Sequence, residues 1–249
     1  MNALADAPQE AVAPPPWLVT PTLRLREFSA SWADRQLLVR MHQESRLRRL
    51  LIDDEPLHRH EVADVFLQRL QAFYRRHEGL GIWCAERLVR LLGDSELCDP
   101  MVRDLLSAEA LAQWSEPRPR FAGWFNLMPM PHAPDELELG ARLLPDAWGT
   151  GLALEGGEQL LHHAFEQLGA ARVWAVCHPQ HASVRYCVLS LGFEDQGVMA
   201  YGEVPARHYL VAADAWRRHM ALPRRDRVRR ALHQVRMPQP ERAVVEAAA

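Results

Sequence analysis

The chain contains no lysine; all 29 of its basic residues are arginine. A surface of that kind cannot be modified through side-chain amines of its own. A GC-rich coding sequence produces the same bias, in keeping with the abundant Ala, Leu and Pro. Cysteine is also scarce. Cys84, Cys98, Cys177 and Cys187 form no C-x-x-C pair, which argues against a zinc ribbon or a disulfide framework and fits a reducing cytoplasm. No apolar run approaches the ~20 residues that span a bilayer, and no basic segment leads into an apolar one at the N-terminus, so neither membrane insertion nor a secretory signal is expected. No Ser-His-Asp or Cys-His pattern for covalent catalysis is evident.

What remains is a 249-residue chain, 48% hydrophobic, with a net charge of −3. That is enough to bury a sizeable core in one domain. Charge is unevenly spread. Arg217–Arg236 holds eight arginines against one acid, Asp226, so the rest of the chain is strongly acidic. Val228, Ala231, Leu232 and Val235 fall on one face of a helix there.

Residues 1–16 read as a disordered Pro/Ala-rich leader. Thr22–Phe28 alternates with period two and predicts a first strand. Helical spacing follows over 33–77, divided at Asp53-Asp54-Glu55-Pro56. Gly81–Glu86 and Phe121–Leu127 predict two further strands. The intervening stretch, 89–118, is an insertion in which Val102, Leu105, Leu106, Ala110 and Leu111 suggest a short helix. An amphipathic helix is expected over 151–168, with Ala153, Leu160, Leu161, Ala164, Phe165 and Leu168 on its apolar face. A strand over 172–177, a helix over 182–191 ending at Gly192, and strands over 193–212 complete a mixed α/β order, with parallel pairing around the 151–168 crossover. The domain is thus expected over 17–216, with an arginine-rich tail over 217–249.

The segment Leu137–Gly156 is the most informative. A β-like alternation runs into a turn rich in small residues, and the turn opens a helix. Orphan amides and the helix dipole at such a start attract phosphate, and Gly149 and Gly151 let a ligand approach the main chain.

Three fragments, in order, resemble the GNAT N-acetyltransferase superfamily, in particular the branch that includes the ribosomal-protein alanine acetyltransferases. Thr20-Pro-Thr-Leu-Arg-Leu-Arg26 resembles its opening strand, and Pro145-Asp-Ala-Trp-Gly-Thr-Gly-Leu-Ala-Leu-Glu155 its pyrophosphate loop. His181-Ala-Ser183 with Leu189-Ser-Leu-Gly-Phe193 resembles its Asn-x-x-Ser … Leu-Gly-Phe segment. The likeness spans roughly Leu18 to Arg217. It implies a strongly bent mixed sheet flanked by helices, with acetyl-coenzyme A as cosubstrate. Main-chain groups at Ala141, Arg142 and Leu143, where the family's fourth strand splays from its fifth, would pair with pantetheine. The turn at Trp148, Gly149, Thr150, Gly151, Leu152 and Ala153 would hold the pyrophosphate. His181 stands where the family has an asparagine that contacts pantetheine.

Acetyl transfer requires the acceptor amine to lose a proton, and a nearby carboxylate can take it. Glu138 lies just before Gly140, where this branch commonly carries an acid. Alternation puts Glu136, Glu138 and Gly140 on one strand face and Leu137 and Leu139 on the other, so Glu138 either lines a cleft or is an ordinary solvated residue. The departing thiolate needs a proton. Val188 replaces the tyrosine many family members use, which leaves Ser183, Tyr186 or water; Ser183 has an equally good role as a helix cap or turn residue. His178 and His181 read as a loop pair, not metal ligands, and no metal is expected. Cys177, close to the expected thiol, is either a structural cysteine or a partner for mixed-disulfide formation. Trp124, Phe125, Met128 and Met130 either wall the acceptor pocket or pack the core.

Two function classes follow: an acetyl-CoA-dependent N-acetyltransferase that acts by direct transfer to a primary amine (a small molecule or a protein N-terminus), or a non-catalytic acyl-CoA-binding regulator. The arginine-rich tail adds the option of RNA or ribosome contact, but folding back onto the acidic remainder or onto a homodimer partner is the preferred expectation.

Overall fold

The computed structural model describes residues 14–49, 51–52, 55–92, 95, 98–130 and 133–236. The chain starts with two strands, β1 (Pro16–Val19) and β2 (Leu23–Glu27), followed by helices α1 (Trp32–Gln43), α2 (Ser45–Arg48) and α3 (His60–Tyr74). Strand β3 (Gly81–Val89) precedes two short helices, α4 (Pro100–Leu105) and α5 (Ala108–Ser115), which lie inside the 89–118 segment. Then come β4 (Arg118–Met130), β5 (Ala133–Leu143), α6 (Leu152–His162), β6 (Arg172–Cys177), α7 (Ala182–Ser190), β7 (Glu194–Tyr201), β8 (Val204–Ala212), α8 (Ala213–Met220) and α9 (Arg224–Arg236).

The eight strands form one sheet in the order β1-β2-β3-β4-β5-β6-β8-β7. Every neighbouring pair is antiparallel except β5–β6, which the crossover through α6 makes parallel. Strand alternation sorts the core into two layers. Leu23 and Leu25 of β2, Phe125 and Leu127 of β4, and Leu137, Leu139 and Leu143 of β5 face α6, α7 and α8 in the larger core. On the other face, Cys84 and Trp124 pack beneath α1 and α3 with Leu38, Met41, Leu67 and Leu70. Helix α6 comes close to β4 because it carries Gly156, where a Cβ would run into the Phe125 ring. On the second face, Arg26 is buried and grips Asp34 of α1 through two bonds, of 2.9 and 2.7 Å, and Glu86 of β3 through a third of 3.0 Å.

Several elements differ from the sequence expectation. The stretch that carries the expected helix is divided into α4 and α5, because Ser107 caps α5 by accepting from the Ala110 amide, and residues 95 and 98 are helical as well. Residues 163–167 form a π-helical turn after α6. The wider turn rotates the register, the Leu168 amide bonds to the His163 carbonyl, and Leu168 points outward, not into the apolar face. Pro16, counted with the leader, pairs with Arg26 as the start of an edge strand; residues 1–13 lie outside the described residues. The 216/217 boundary falls inside α8, and residues 237–249 are outside the described set. Within α9, Arg227 and Ala231 are buried while Leu232 is exposed. The end of α7 follows the expected pattern closely: Gly192 takes a left-handed φ of 95°, and the Gly192 and Phe193 amides bond back to Leu189 and Val188. Among the described residues no helix is long and apolar enough to cross a membrane.

Candidate active site

Leu137 and Leu139 are buried in the main core while Glu136, Glu138 and Gly140 are half-buried on the opposite face of β5. β5 pairs with β4 as far as Gly123↔Leu143. Its ladder to β6 is much shorter and consists of Leu137↔Val173 and Glu138↔Trp174. Beyond that point the two parallel strands part, so the 139–143 segment presents one edge with no strand partner among the described residues. Such an edge offers main-chain donors and acceptors to a ligand that lies along it. Ala141, Arg142 and Leu143 are on this segment. One acceptor there is already used, since the Trp148 indole donates to the Leu143 carbonyl at 2.7 Å.

The strand ends in a 3₁₀ turn (Pro145–Ala147) and then Trp148-Gly-Thr-Gly before α6. Thr150 Oγ1 donates to the Ala147 carbonyl at 2.7 Å and pins the turn. Gly149 and Gly151 have left-handed φ values of 73° and 85°, and a Cβ at either would meet nothing within 4 Å. The turn is therefore held open toward its glycine side. Among the described residues no backbone carbonyl accepts from the amides of Gly149, Thr150, Gly151 or Ala153, and the Leu152 amide has only a 3.4 Å approach to Thr150 Oγ1. Gly151 caps α6 without a side chain. This is a cluster of unspent N–H donors at the positive end of a helix dipole, suited to a diphosphate. The Arg46 guanidinium lies over the exposed Trp148 ring, 5.0 Å from its centre.

Where β5 and β6 begin to part stands Glu138. Tyr201, at the end of β7, donates its phenol to Glu138 Oε2 at 2.9 Å. The neighbouring acid, Glu136, is engaged differently: Trp174 Nε1 donates to one oxygen and Arg172 reaches the other at 2.5 Å. His208 is buried beside Trp174 and Tyr201, with ring centres 6.3 and 6.1 Å away. Burial holds its pKa below the usual imidazole value. Sequence reasoning passed over Tyr201 and His208, which reach this place only through the pairing of β8 with β6 and β7.

His181 and Ser183 follow β6 out of the sheet at the end where it has left β5. Ser183 is exposed and shares a 3.1 Å hydrogen bond with His181 Nδ1. It does not cap α7, whose N-cap is His181, and the His181 side chain accepts from no amide of the first turn. Burial and the adjacent His178 lower the His181 pKa. Tyr186 is half-buried farther along α7, and Val188 is fully in the core. Cys177 is buried, and desolvation pushes its thiol up to about 11, which makes it a poor nucleophile. Among the described residues no three His, Cys, Asp or Glu side chains group as metal ligands.

Arg142 contributes more than main chain. Its guanidinium lies over Trp124, 4.8 Å from the ring centre, and Nη1 approaches Nε2 of the buried His42 at 3.2 Å. His42 Nδ1 is 2.9 Å from the Leu38 carbonyl, so Nδ1 carries the proton and Nε2 accepts from Arg142. Trp124 therefore packs under α1 and α3, and Phe125 fills the opposite core. Next to His42, Gln43, Ser45, Arg48 and Leu51 line a cleft of about 280 Å³ between α1 and α2.

Residues 22–194 match the model of the acetyltransferase (GNAT) domain. An alignment over 60 residues with the FsC-acetyl coenzyme A-N(2)-transacetylase of Aspergillus fumigatus is 40% identical; it covers 21% of this chain and only 26% of that protein. Among solved structures, the microcin C7 self-immunity acetyltransferase MccE, in complex with acetyl-CoA and AMP, superposes with a TM-score of 0.56. It is 12% identical, and the match covers 78% of this chain and 93% of that one. The ribosomal-protein-S5-alanine acetyltransferase of Vibrio fischeri gives 0.55 at 11% identity, covering 80% and 97%. At these identities the two structures speak for the fold alone.

Proposed function

Since the chain belongs to the GNAT acetyltransferase family, we propose that it is an N-acetyltransferase that takes acetyl-CoA as cosubstrate and passes the acetyl group directly to a primary amine. The observation that carries this reading is the continuity of one path: open amides at the Gly149–Ala153 turn, a partnerless β5 edge, and a carboxylate where that edge closes. A cosubstrate with a diphosphate at one end and a reactive group at the other fits such a path. Bound there, acetyl-CoA supplies an activated acetyl thioester.

The chain's own residues do the rest. The amides of Gly149, Thr150, Gly151, Leu152 and Ala153 hold the diphosphate, and the β5 main chain at Ala141–Leu143 aligns the pantetheine arm, with His181 flanking it. Glu138 takes the proton from the acceptor ammonium, directly or through one water. Tyr201 fixes the carboxylate rotamer by its hydrogen bond to Oε2. Arg172 and Trp174 hold Glu136 in an ion pair and a hydrogen bond, which leaves Glu138 as the base. The proton required by the departing thiolate comes from Ser183, exposed at the head of α7, or from solvent. Within the family, the motifs at Thr20–Arg26, Pro145–Glu155 and Leu189–Phe193 favour the ribosomal-protein alanine acetyltransferase branch and with it a protein α-amine as acceptor.

The test is acetyl-CoA turnover against a panel of amines: peptide N-termini, amino acids and aminoglycosides. Glu138→Gln is expected to lower kcat about 100-fold or more, with little change in acetyl-CoA affinity. Tight cofactor binding without transfer to any amine would favour the regulatory alternative, and unchanged turnover in the variant would remove Glu138 from the mechanism.

A further inference from the structure

Helix α9 uses one side to fasten itself to the domain. Ala231 is fully buried on that side, and Arg227 donates to Glu158 of α6 at 2.7 Å and approaches the Met220 sulfur at 2.9 Å. From α7, Arg185 donates to the carbonyls of Gln234 and Val235, each at 3.1 Å. At 100° per residue the opposite side carries Arg225, Arg229, Leu232 and Arg236, spaced i, i+4, i+7 and i+11. All four are exposed, as are Arg224 and Arg230 beside them. The arginine that anchors the helix and the arginines that face outward are thus different residues.

Folding does not account for the outward row. Among the described residues Arg225 has one acid within ion-pair range, its own neighbour Asp226 at 3.7 Å. Arg229 and Arg236 pair with no acid among the described residues. Like charges at i and i+4, as in Arg225 and Arg229, destabilise a helix, and an external anion relieves that repulsion. The row rises about 16 Å from Arg225 to Arg236, enough to meet several successive phosphates. Leu232 is the one apolar residue in the outward row, among three arginines, which is too little apolar surface to bury in a lipid interface. We infer that the outward face of α9 is a docking surface for a nucleic-acid phosphate backbone.

The experiment measures binding of the full-length protein to labelled single-stranded RNA, and to DNA of the same sequence, across about 50 to 200 mM salt. The expected result is a log–log salt plot whose slope becomes shallower by about 2 to 3 in Arg225→Glu/Arg229→Glu/Arg236→Glu. Acetyl-CoA affinity and the thermal midpoint should stay at the parent values. The triple glutamine variant at the same positions gives the same reading with a smaller perturbation. Arg118→Glu/Arg120→Glu, on exposed positions of β4, lowers the net charge by more than the triple glutamine variant does and controls for net charge against it. Equal loss with RNA and DNA identifies the shared phosphate backbone as the ligand, while loss with RNA alone adds the 2′-hydroxyl to the contacts. The inference is overturned by parent-like affinity and slope in both triple variants, by an equal effect in the β4 control, or by binding of anionic vesicles but neither nucleic acid.

Discussion

The residue that matters most for the proposed chemistry is Glu138, and its setting was half legible. The alternation Leu137-Glu-Leu139 identified which side chains enter the core, and both leucines do. What the alternation could not reveal is the partner. Tyr201 lies 63 residues away in sequence and meets Glu138 only because β7 folds back beside β8 at the far edge of the sheet. A phenol hydrogen-bonded to a charged oxygen is worth about 1.5 kcal/mol or more, so Tyr201→Phe is expected to reduce kcat about tenfold while KM for acetyl-CoA stays within twofold, roughly the resolution of such assays. Steady-state kinetics with the best acceptor of the panel checks this. Ser183 illustrates the opposite case. A serine ahead of an apolar helical run reads as a cap, yet the helix starts two residues earlier, with His181 at the N-cap, and leaves the hydroxyl exposed.

At the scale of elements, the turn between β5 and α6 follows from composition. Two glycines two residues apart permit two left-handed backbone positions, and the helix that follows keeps its first amides unspent. The buried network that ties β2 and β3 to α1 was not legible, because Arg26 and Asp34 look like solvated residues until the sheet and helix close over them. Burial lowers and the hydrogen bond to Asp34 raises the Arg26 pKa, with a net upward shift, so the guanidinium stays charged. Removing its partner strands that charge: Asp34→Ala is expected to destabilise the fold by about 3–5 kcal/mol, read from urea denaturation. The insertion was expected to hold one short helix, where α4 and α5 are separate, and α6 ends before the expected 168, for local reasons, a serine cap at Ser107 and a π turn at His163, which periodicity alone does not encode.

For the whole molecule, the mixed order of strands and helices and the parallel crossover were readable because long amphipathic segments dominate them. The edge strand β1 was hidden by its proline-rich flank. Charge asymmetry pointed to a tail that folds back, and residues 224–236 do lie against α7. Three histidines supply a global pH response. Burial lowers the pKa of His181, His208 and His219 from the ordinary 6.5, so the folded state keeps them neutral while the unfolded chain takes up protons first. Their contribution is complete above about pH 6.5 and is lost as the pH falls through that value toward the folded pKa values. The thermal midpoint should therefore decline on acidification from neutrality, and His208→Gln should flatten that decline.

The account depends most on the glycine turn before α6 as a diphosphate cradle. Calorimetric titration of the folded protein with acetyl-CoA, alongside Gly151→Glu, tests it most directly. Saturable binding by the parent is expected, and its loss in Gly151→Glu at a temperature where the variant is still folded, because the carboxylate would project into the space left open at Gly151. The left-handed φ of 85° lowers the melting temperature of any such variant, so Gly151→Ala, strained alike but uncharged, is the control and keeps more of the affinity. Absence of heat with the parent protein, or undiminished affinity in the variant, would contradict the account.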